Sequence, residues 1–162
     1  MYIKGKMKTN QDDLTDVYYI RQKVFQEEQK IPELLERDEY DNQAYFAVVY
    51  KVEESLDLKE TMKAIATGRL ICDKENNFKI GRIAVLPEER GKQYGEMIVK
   101  MLINKAFTLG ANEVYVGAQT HAIGFYEKMG FISCGTEYID LGKKHLKMLI
   151  SSNSVVENCK NA

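Results

Sequence analysis

The sequence is poor in the residues that build disulfide or metal sites. It has three cysteines, at positions 72, 134 and 159, and they form no CxxC pair. A disulfide framework or a thiolate metal site is therefore not expected. The two histidines, His121 and His145, show neither HxxH nor HExxH spacing, so we predict that the protein needs no metal.

Long apolar runs and an excess of basic charge are also absent. No segment reaches the roughly 20 apolar residues that span a bilayer, and the N-terminus lacks the apolar core of a signal peptide. The net charge is -1 at pH 7, with Lys and Arg spread along the chain, so no basic surface for nucleic acid is expected. We predict a cytoplasmic protein without a membrane or nucleic-acid partner.

What is present is the composition of an ordinary folded domain. The chain has 162 residues, 44% of them hydrophobic and 29% charged, which suits one domain with a sizeable core. Pro32 and Pro87 are the only prolines, and no repeat or low-complexity tract marks a boundary. We expect a single domain over residues 1–150 and a polar C-terminal tail over residues 151–162.

Hydrophobic periodicity predicts a mixture of helices and strands. A period of 3.6 residues indicates a first helix after Asn10, a long helix over residues 91–109 capped by Gly110, and a short helix that Gly130 stops. The acidic segment between Pro32 and Asn42 is predicted to be a helical turn or loop. Six segments have strand character and begin at Ala44, Ala64, Phe78, Glu113, Phe131 and Lys143. This order predicts an α+β (mixed α/β) domain.

The segment from Pro87 to Gly95 lies between a predicted strand and the long helix, where a backbone anion site can form. The first amides of a helix have no partners inside it, and the helix dipole adds positive potential there. Glycines let the main chain approach a pyrophosphate, and Arg90 and Lys92 add charge-assisted contacts. An ordinary helix start with solvated charges is the alternative. GxxxxGKS/T and GxGxxG are absent, so a nucleotide triphosphate is disfavoured.

A second segment, from Gln119 to Phe131, follows a short strand and completes a pattern. Together the two segments resemble the GNAT superfamily of acyl-CoA-dependent N-acetyltransferases, whose motifs read R/Q-x-x-G-x-G/A and N-x-x-A-x-x-F-Y-x-x-x-G-F. In the first motif Arg90 and Gly95 match, while Gln93 stands at the middle glycine. In the second motif Gln119 replaces the usual Asn, and the matching residues are Ala122, Phe125, Tyr126, Gly130 and Phe131.

The flanking residues resemble one branch of that superfamily, the ElaA-like and YjcF-like acetyltransferases. The similarity rests on Asp41, on the late HLKM with His145 and Met148, and on RQKVFQEEQ, which contributes Arg21, Val24, Phe25, Glu28 and Gln29. The resemblance implies a central mixed, mostly antiparallel sheet of six to seven strands flanked by about four helices.

The resemblance also implies that acetyl-CoA is the co-substrate. The pantetheine arm would enter a gap where the fourth strand splays from the fifth at a bulge, beside Ile83, Ala84 and Val85. The backbone amide of Val85 would polarise the thioester carbonyl. The other residues that would bind the donor are Arg90, Gly91, Lys92, Gln93, Tyr94, Gly95, Gln119 and Phe125.

The implied reaction is transfer of an acetyl group to a primary amine of a small molecule or peptide, by direct attack in a ternary complex. Tyr126 is the candidate general acid for the departing thiolate, although a phenol, with an ordinary pKa of about 10, gives up its proton reluctantly. Packing in the core beside Phe125 is the alternative role for this residue.

The acyl acceptor has fewer fixed points in the sequence. The candidate acceptor-binding residues are Arg21, Glu28, Asp41 and His145. A surface ion pair is the alternative for Arg21. Glu28, Asp41, Glu113 and His145 all stay open as general base, each with an ordinary structural alternative. The acidic residues of segment 33–41 hint at a cationic amine, although acidic loops are usually only solvated.

Two other functions stay open on the sequence alone. A coenzyme-A-binding sensor or interaction module would keep the donor site without turnover. A nucleotide-binding regulator would use the turn from Arg90 to Gly95 for other phosphates and would need no pantetheine groove. The presence of Tyr126 and Phe125 favours the enzyme. The sequence carries no mark that separates a monomer from a homodimer.

Overall fold

A seven-stranded sheet forms the centre of the computed structural model, which describes residues 1–153. The strands are β1 Tyr2–Lys8, β2 Tyr45–Glu54, β3 Glu60–Cys72, β4 Phe78–Val85, β5 Glu113–Gln119, β6 Ile132–Asp140 and β7 Lys143–Ser151. Their order is β1-β2-β3-β4-β5-β7-β6, and only β4 and β5 are parallel. The predicted mixed, mostly antiparallel sheet is confirmed. The predicted polar tail, beyond residue 153, lies outside the described residues.

Within residues 1–153, four α-helices flank the sheet. They are α1 Thr15–Arg21, α2 Glu33–Glu36, α3 Tyr94–Thr108 and α4 Ile123–Lys128. A π-helical segment, Gln22–Glu28, continues directly from α1, and short 3-10 turns occupy Glu39–Asn42, Pro87–Glu89 and Thr120–Ala122. No helix in this part of the chain is both long and apolar enough to cross a bilayer.

Apolar side chains cover both faces of the sheet because a helical layer packs on each. On β2, Ala47 points toward α3 and shares a core with Ile98 and Leu102. The next residue, Val48, points to the opposite face and shares a second core with Val17 of α1. Successive side chains of a strand alternate between faces, so the apolar run at residues 46–49 is buried on both sides.

β4 and β5 separate soon after they meet. Their pairing is limited to Phe78–Ile80 opposite Val114–Val116. On its other edge β4 stays paired with β3, but a bulge interrupts that ladder near Arg82, whose φ of 51° is left-handed. The predicted splay of the fourth strand from the fifth at a bulge is therefore confirmed. It opens a gap in the middle of the sheet.

Two parts of the fold differ from the sequence-based predictions. Residues 2–8 form an edge strand where the patterns predict none, because alternating lysines rather than apolar residues carry the period of two. The first predicted helix changes from α to π bonding at Gln22, as the hydrogen bond from Gln29 N to Val24 O at 3.1 Å shows. Apolar periodicity does not distinguish these two helix types over one or two turns.

Candidate functional site

The turn that precedes α3 has the backbone geometry of an anion site. Gly91 has a φ of 78° and Gln93 a φ of 68°, so both adopt the left-handed conformation that glycine favours. Gln93, the N-cap of α3, therefore keeps the backbone that its motif position requires, at a cost of about 1–2 kcal/mol for a residue with a Cβ. The first amides of α3 have no intrahelical acceptor and are available to an anion.

Glu89 anchors this turn to the sheet. Its side chain is buried, and both carboxylate oxygens accept hydrogen bonds from Lys51 Nζ of β2 at 2.6 Å. The hydrogen bond from Lys51 lowers the pKa of Glu89 below its usual range. Lys92 Nζ donates to the same carboxylate at 3.1 Å. Lys92, predicted to contact the donor, is thus turned toward Glu89 and holds the turn in shape.

A cleft of about 640 Å³ lies between this turn, the edge of β4 and α4, and we call it the α3 cleft. Most of the predicted donor-binding residues line it, and these are Ile83, Ala84, Val85, Arg90, Gly91, Gln93, Tyr94, Gly95 and Phe125. Residues that are distant in sequence, on a strand, a turn and a helix, are therefore brought to one cavity.

Arg90 is held by Glu28 across the α3 cleft. Its Nη1 and Nη2 donate to the two carboxylate oxygens of Glu28 at 2.9 and 3.0 Å, and its Nε donates to Val85 O at 3.2 Å. Both charged side chains remain partly exposed to solvent. Glu28, predicted on the acceptor side, therefore lies in the α3 cleft as the partner of Arg90.

Tyr126 lies where the α3 cleft meets a second cavity, and it lines both. The residue is 7% exposed, and its ring packs edge-on against Phe125 and Phe131 with centroids 5.0 and 5.5 Å away. Burial raises the pKa of the Tyr126 hydroxyl, so the phenol stays protonated and is able to donate a hydrogen bond. The Tyr126 side chain therefore packs in the core and also lines both cavities.

The second cavity, of about 130 Å³, occupies the gap between β4 and β5, and we call it the strand pocket. Ile80 and Ile83 lie in one wall, and Gly117 and Gln119 of β5 lie in the other. Gln119 Nε2 donates to Gln29 Oε1 at 3.2 Å, which connects β5 to the end of the π-helical segment. Gln119, predicted to bind the donor, thus lines the strand pocket instead of the α3 cleft.

His145 faces the strand pocket from β7. It lies opposite Gln119 of β5 and Tyr138 of β6, and its ring stacks on Tyr138 with centroids 5.5 Å apart. Its Nδ1 is 2.9 Å from the carbonyl oxygen of Lys143. A carbonyl oxygen only accepts, so in the neutral ring Nδ1 carries the hydrogen and Nε2 keeps a free lone pair. The hydrogen bond thereby fixes which nitrogen can accept a proton.

Gly117 and Tyr138 belong to the strand pocket although neither falls in a motif. A Cβ at position 117 would collide with the hydroxyl oxygen of Tyr138 and would lie 3.6 Å from Cδ2 of His145. The glycine therefore lets Tyr138 rest directly on the β5 backbone. Burial, helped by the charge of Asp140, raises the pKa of the Tyr138 hydroxyl. No sequence spacing joins these residues, because they meet only through strand pairing.

Arg21 and Asp41 do not line either cavity. Arg21 is 1% exposed and donates to Glu36 Oε1 at 2.5 Å and to Asp41 Oδ1 at 2.8 Å. Asp41 is 4% exposed and also accepts from Arg69 at 2.8 Å. The structure thus places both residues, predicted to bind the acceptor, in a buried ion-pair network away from the two cavities, and this location indicates a structural role. Among residues 1–153, no group of three His, Cys, Asp or Glu side chains is placed to hold a metal ion.

Known proteins share this architecture. Residues 14–131 match the Acetyltransferase (GNAT) family. The uncharacterized N-acetyltransferase YjcF of Bacillus subtilis (strain 168) is 34% identical over 148 residues, covering 91% of this chain and 99% of that relative. The structure of Escherichia coli ElaA superposes with a TM-score of 0.73 at 23% identity, covering 91% of this chain and 99% of ElaA. The PaiA N-acetyltransferase from Thermoplasma acidophilum, solved in complex with coenzyme A, has a TM-score of 0.68 at 16% identity, covering 93% and 99% of the two chains. The chain therefore belongs to the GNAT family of acetyltransferases, as its two motifs predict.

Proposed function

We propose that this protein transfers the acetyl group of acetyl-CoA to a primary amine of a small molecule or peptide. The observation that carries the proposal is that the α3 cleft and the strand pocket meet at Tyr126. One cavity has an anion-binding turn and the other contains a base, so they suit a donor and an acceptor held on opposite sides of one reacting centre. The coenzyme A complex of PaiA supports the donor half of the proposal.

The donor lies in the α3 cleft with its pyrophosphate at the turn. The first amides of α3 and the guanidinium of Arg90 supply hydrogen bonds to the phosphate oxygens. The pantetheine arm carries amide groups, and the edge of β4 beyond Ile80 is free to pair with them as a neighbouring strand would. Ile83 and Ala84 lie on this stretch, and we assign the backbone amide of Val85 to the thioester carbonyl.

The acetyl group moves by direct attack, without a covalent enzyme intermediate. The amine nitrogen bonds to the thioester carbonyl carbon, the carbon–sulfur bond breaks, and its electron pair leaves with the sulfur of coenzyme A. His145 Nε2 takes the proton that the amine loses. Tyr126 donates a hydrogen bond to the departing sulfur, and its raised pKa makes complete transfer of that proton unfavourable.

Of the four candidate bases, His145 fits the site best. Glu28 and Asp41 are both engaged by arginine side chains. Glu113 lies at the opposite end of β5 from Gln119, and its carboxylate accepts a hydrogen bond from a tyrosine hydroxyl at 2.7 Å. His145 lines the strand pocket, and its Nε2 has no hydrogen-bond partner in the described part of the chain, so this nitrogen can accept a proton from an amine in the pocket.

A binding titration and a turnover assay test the two halves of the proposal. We expect acetyl-CoA to raise the Tm of the protein while ATP and NAD do not, and free coenzyme A to appear when a panel of primary amines is added. His145→Gln should lower kcat by about 100-fold or more, with the Kd for acetyl-CoA unchanged within about twofold. Lys144→Gln, a change in an exposed neighbour on the same strand, is the control.

Two outcomes would contradict the proposal. If acetyl-CoA does not bind at saturating concentration, the α3 cleft is not a donor site. Binding of acetyl-CoA without release of coenzyme A to any amine would make the protein a coenzyme-A-binding module.

A further inference from the structure

The acidic segment that follows the π-helical segment is neutralised by arginines. Six side chains form a buried or half-buried network whose ion pairs are 2.5 to 3.3 Å long. The carboxylates are those of Glu36, Asp38 and Asp41, and the guanidinium groups are those of Arg21, Arg69 and Arg82. Three positive and three negative charges cancel. These three carboxylates therefore give little support to the sequence-based hint of a cationic acceptor, because each is already paired with an arginine.

Lys79 of β4 takes no part in this ion-pair network. Its side chain lies in the wall shared by the strand pocket and a third cavity of about 310 Å³, which we call the outer pocket. Within residues 1–153 its ammonium group has no hydrogen bond or ion pair, and Asp140 is the one carboxylate whose charge acts on it appreciably. Arg69, Arg82 and Lys147 place positive charge around it.

The surroundings of Lys79 therefore oppose its charge. Lys79 is an exposed residue, but the protein atoms of the pocket wall remove part of its hydration. This desolvation, together with the repulsion from the neighbouring cations, lowers the pKa of Lys79. A cation that is repelled by its protein neighbours is stabilised when an anion binds beside it. Lys79 lies at the boundary of the strand pocket and the outer pocket, so an anion beside it would belong to a ligand that occupies these cavities.

We propose that Lys79 binds a carboxylate of the acyl acceptor, so that the acceptor is a small amine that carries an anionic group. The inference rests on the proposed function, because it assigns the acceptor of the same site. The amine lies in the strand pocket beside His145, and the carboxylate lies at the boundary with the outer pocket beside Lys79. The strand pocket is small, since about 130 Å³ corresponds to roughly four water molecules.

The charged residues that line the strand pocket agree with an anionic group. Asp140 lines its boundary with the outer pocket and on its own would favour an ammonium group. Lys79 and Arg82 also line the strand pocket, so two positive charges face one carboxylate there and the local charge favours an anion.

A series of three amines of equal length tests the assignment. The compounds are 4-aminobutyrate, its neutral amide and 1,4-diaminobutane, and kcat/KM is measured for each with saturating acetyl-CoA. We expect the carboxylate to be the best acceptor. Lys79→Met should lower kcat/KM for 4-aminobutyrate by about 10- to 100-fold, through KM, because a charge-assisted hydrogen bond is lost. The same change should leave the amide within about twofold, and Lys79→Arg should retain the preference.

Lys74→Met is the matched control, because Lys74 is an exposed lysine of the neighbouring turn that lines neither pocket. Equal kcat/KM for the carboxylate and the amide, or equal loss of both in Lys79→Met, would overturn the inference while acetyl transfer itself stands. A preference for the diamine that Asp140→Asn removes would also overturn it, in favour of a cationic acceptor.

A binding measurement separates this inference from the proposed function. The three amines are titrated into the protein saturated with coenzyme A, which needs no turnover. If no amine is acetylated but 4-aminobutyrate binds selectively and Lys79→Met abolishes the selectivity, the carboxylate site stands and the transfer does not. Equal binding of all three amines would remove the site whether or not transfer occurs.

Discussion

At the scale of single residues, one substitution tests the role that we propose for the Tyr126 hydroxyl in the departure of the thiolate. We expect Tyr126→Phe to lower kcat by about 10- to 100-fold, because a hydrogen bond to a developing negative charge is lost. The Kd for acetyl-CoA should change by less than about twofold, since a phenylalanine ring keeps the packing against Phe125 and Phe131. Steady-state release of coenzyme A and calorimetric titration measure the two quantities.

Tyr115→Phe is the control for that comparison, because Tyr115 lines neither the α3 cleft nor the strand pocket and its hydroxyl donates to Glu113. A loss of affinity as large as the loss of kcat in Tyr126→Phe would show that the hydroxyl serves the fold and not the reaction.

Residues inside the two motifs could be predicted from the sequence, and residues joined only by the fold could not. Arg90 and Tyr126 stand in the two segments that resemble GNAT motifs, and that resemblance implied a donor site beside both of them. Arg21 has its partners in a different segment, and no pattern indicates that they are buried together. Gly117 and Tyr138 meet through the β5–β7–β6 pairing, which the amino-acid types alone do not specify.

At the scale of elements, the pair of Glu28 and Arg90 joins the π-helical segment to the turn before α3. Phosphates that bind at this turn compete with the Glu28 carboxylate for the same guanidinium. We expect Glu28→Gln to tighten acetyl-CoA binding by about two- to fivefold, because exposed ion pairs contribute about 1 kcal/mol or less. Calorimetric Kd values check this.

Glu27→Gln serves as the control for Glu28→Gln, because Glu27 is also exposed and pairs with Lys23 within the same helical region. Weaker donor binding in Glu28→Gln would mean that Glu28 orients Arg90 for the phosphates and does not compete with them.

The packing of α3 on the sheet requires a glycine at one point of β3. A Cβ on Gly68 would lie 2.5 Å from Ile83 Cδ1 and 2.7 Å from Ile98 Cγ2. We expect Gly68→Ala to lower the free energy of unfolding by about 1–3 kcal/mol, measured by urea titration. Gly5→Ala is the matched comparison, because its Cβ would meet Met101 Sδ and Cε at 2.9 Å, atoms at the flexible end of a side chain. Equal losses would show that the close approach of α3 at Gly68 costs no more than the displacement of a flexible methionine end at Gly5.

At the scale of the whole molecule, the buried ion-pair network makes stability depend on pH. Burial alone would raise the pKa of Asp38, but the hydrogen bonds and charge of Arg69, with the charges of Arg82 and Arg21, outweigh burial and lower it. A folded-state pKa below the unfolded value, about 3.9, gives stabilisation that is complete above that value. The stabilisation is lost as the pH falls through the folded pKa.

The urea concentration at the midpoint of unfolding should therefore vary little from pH 7 to pH 5, as far as Asp38 contributes. It should decrease once the pH is under about 4. Asp38→Asn should reduce the free energy of unfolding at pH 7 by about 1–2 kcal/mol and flatten the decline at acid pH. Parallel acid declines in the variant and the wild type would show that other carboxylates carry the dependence.

The divergence of β4 from β5 makes the sheet two blocks, β1 to β4 and β5 to β7, joined through three residue pairs. Within residues 1–153 the inner edge of β4 has no paired strand past Ile80, and a bound pantetheine arm would extend the ladder there. The seam-facing amides of residues 81–85 should then exchange hydrogen with solvent quickly in the free protein and slowly with acetyl-CoA bound, while amides of β2 stay unchanged. Hydrogen exchange detected by mass spectrometry would measure this change in protection. The bound donor would take the place of a missing strand. The two blocks of the sheet would then unfold more cooperatively in the donor complex than in the free protein.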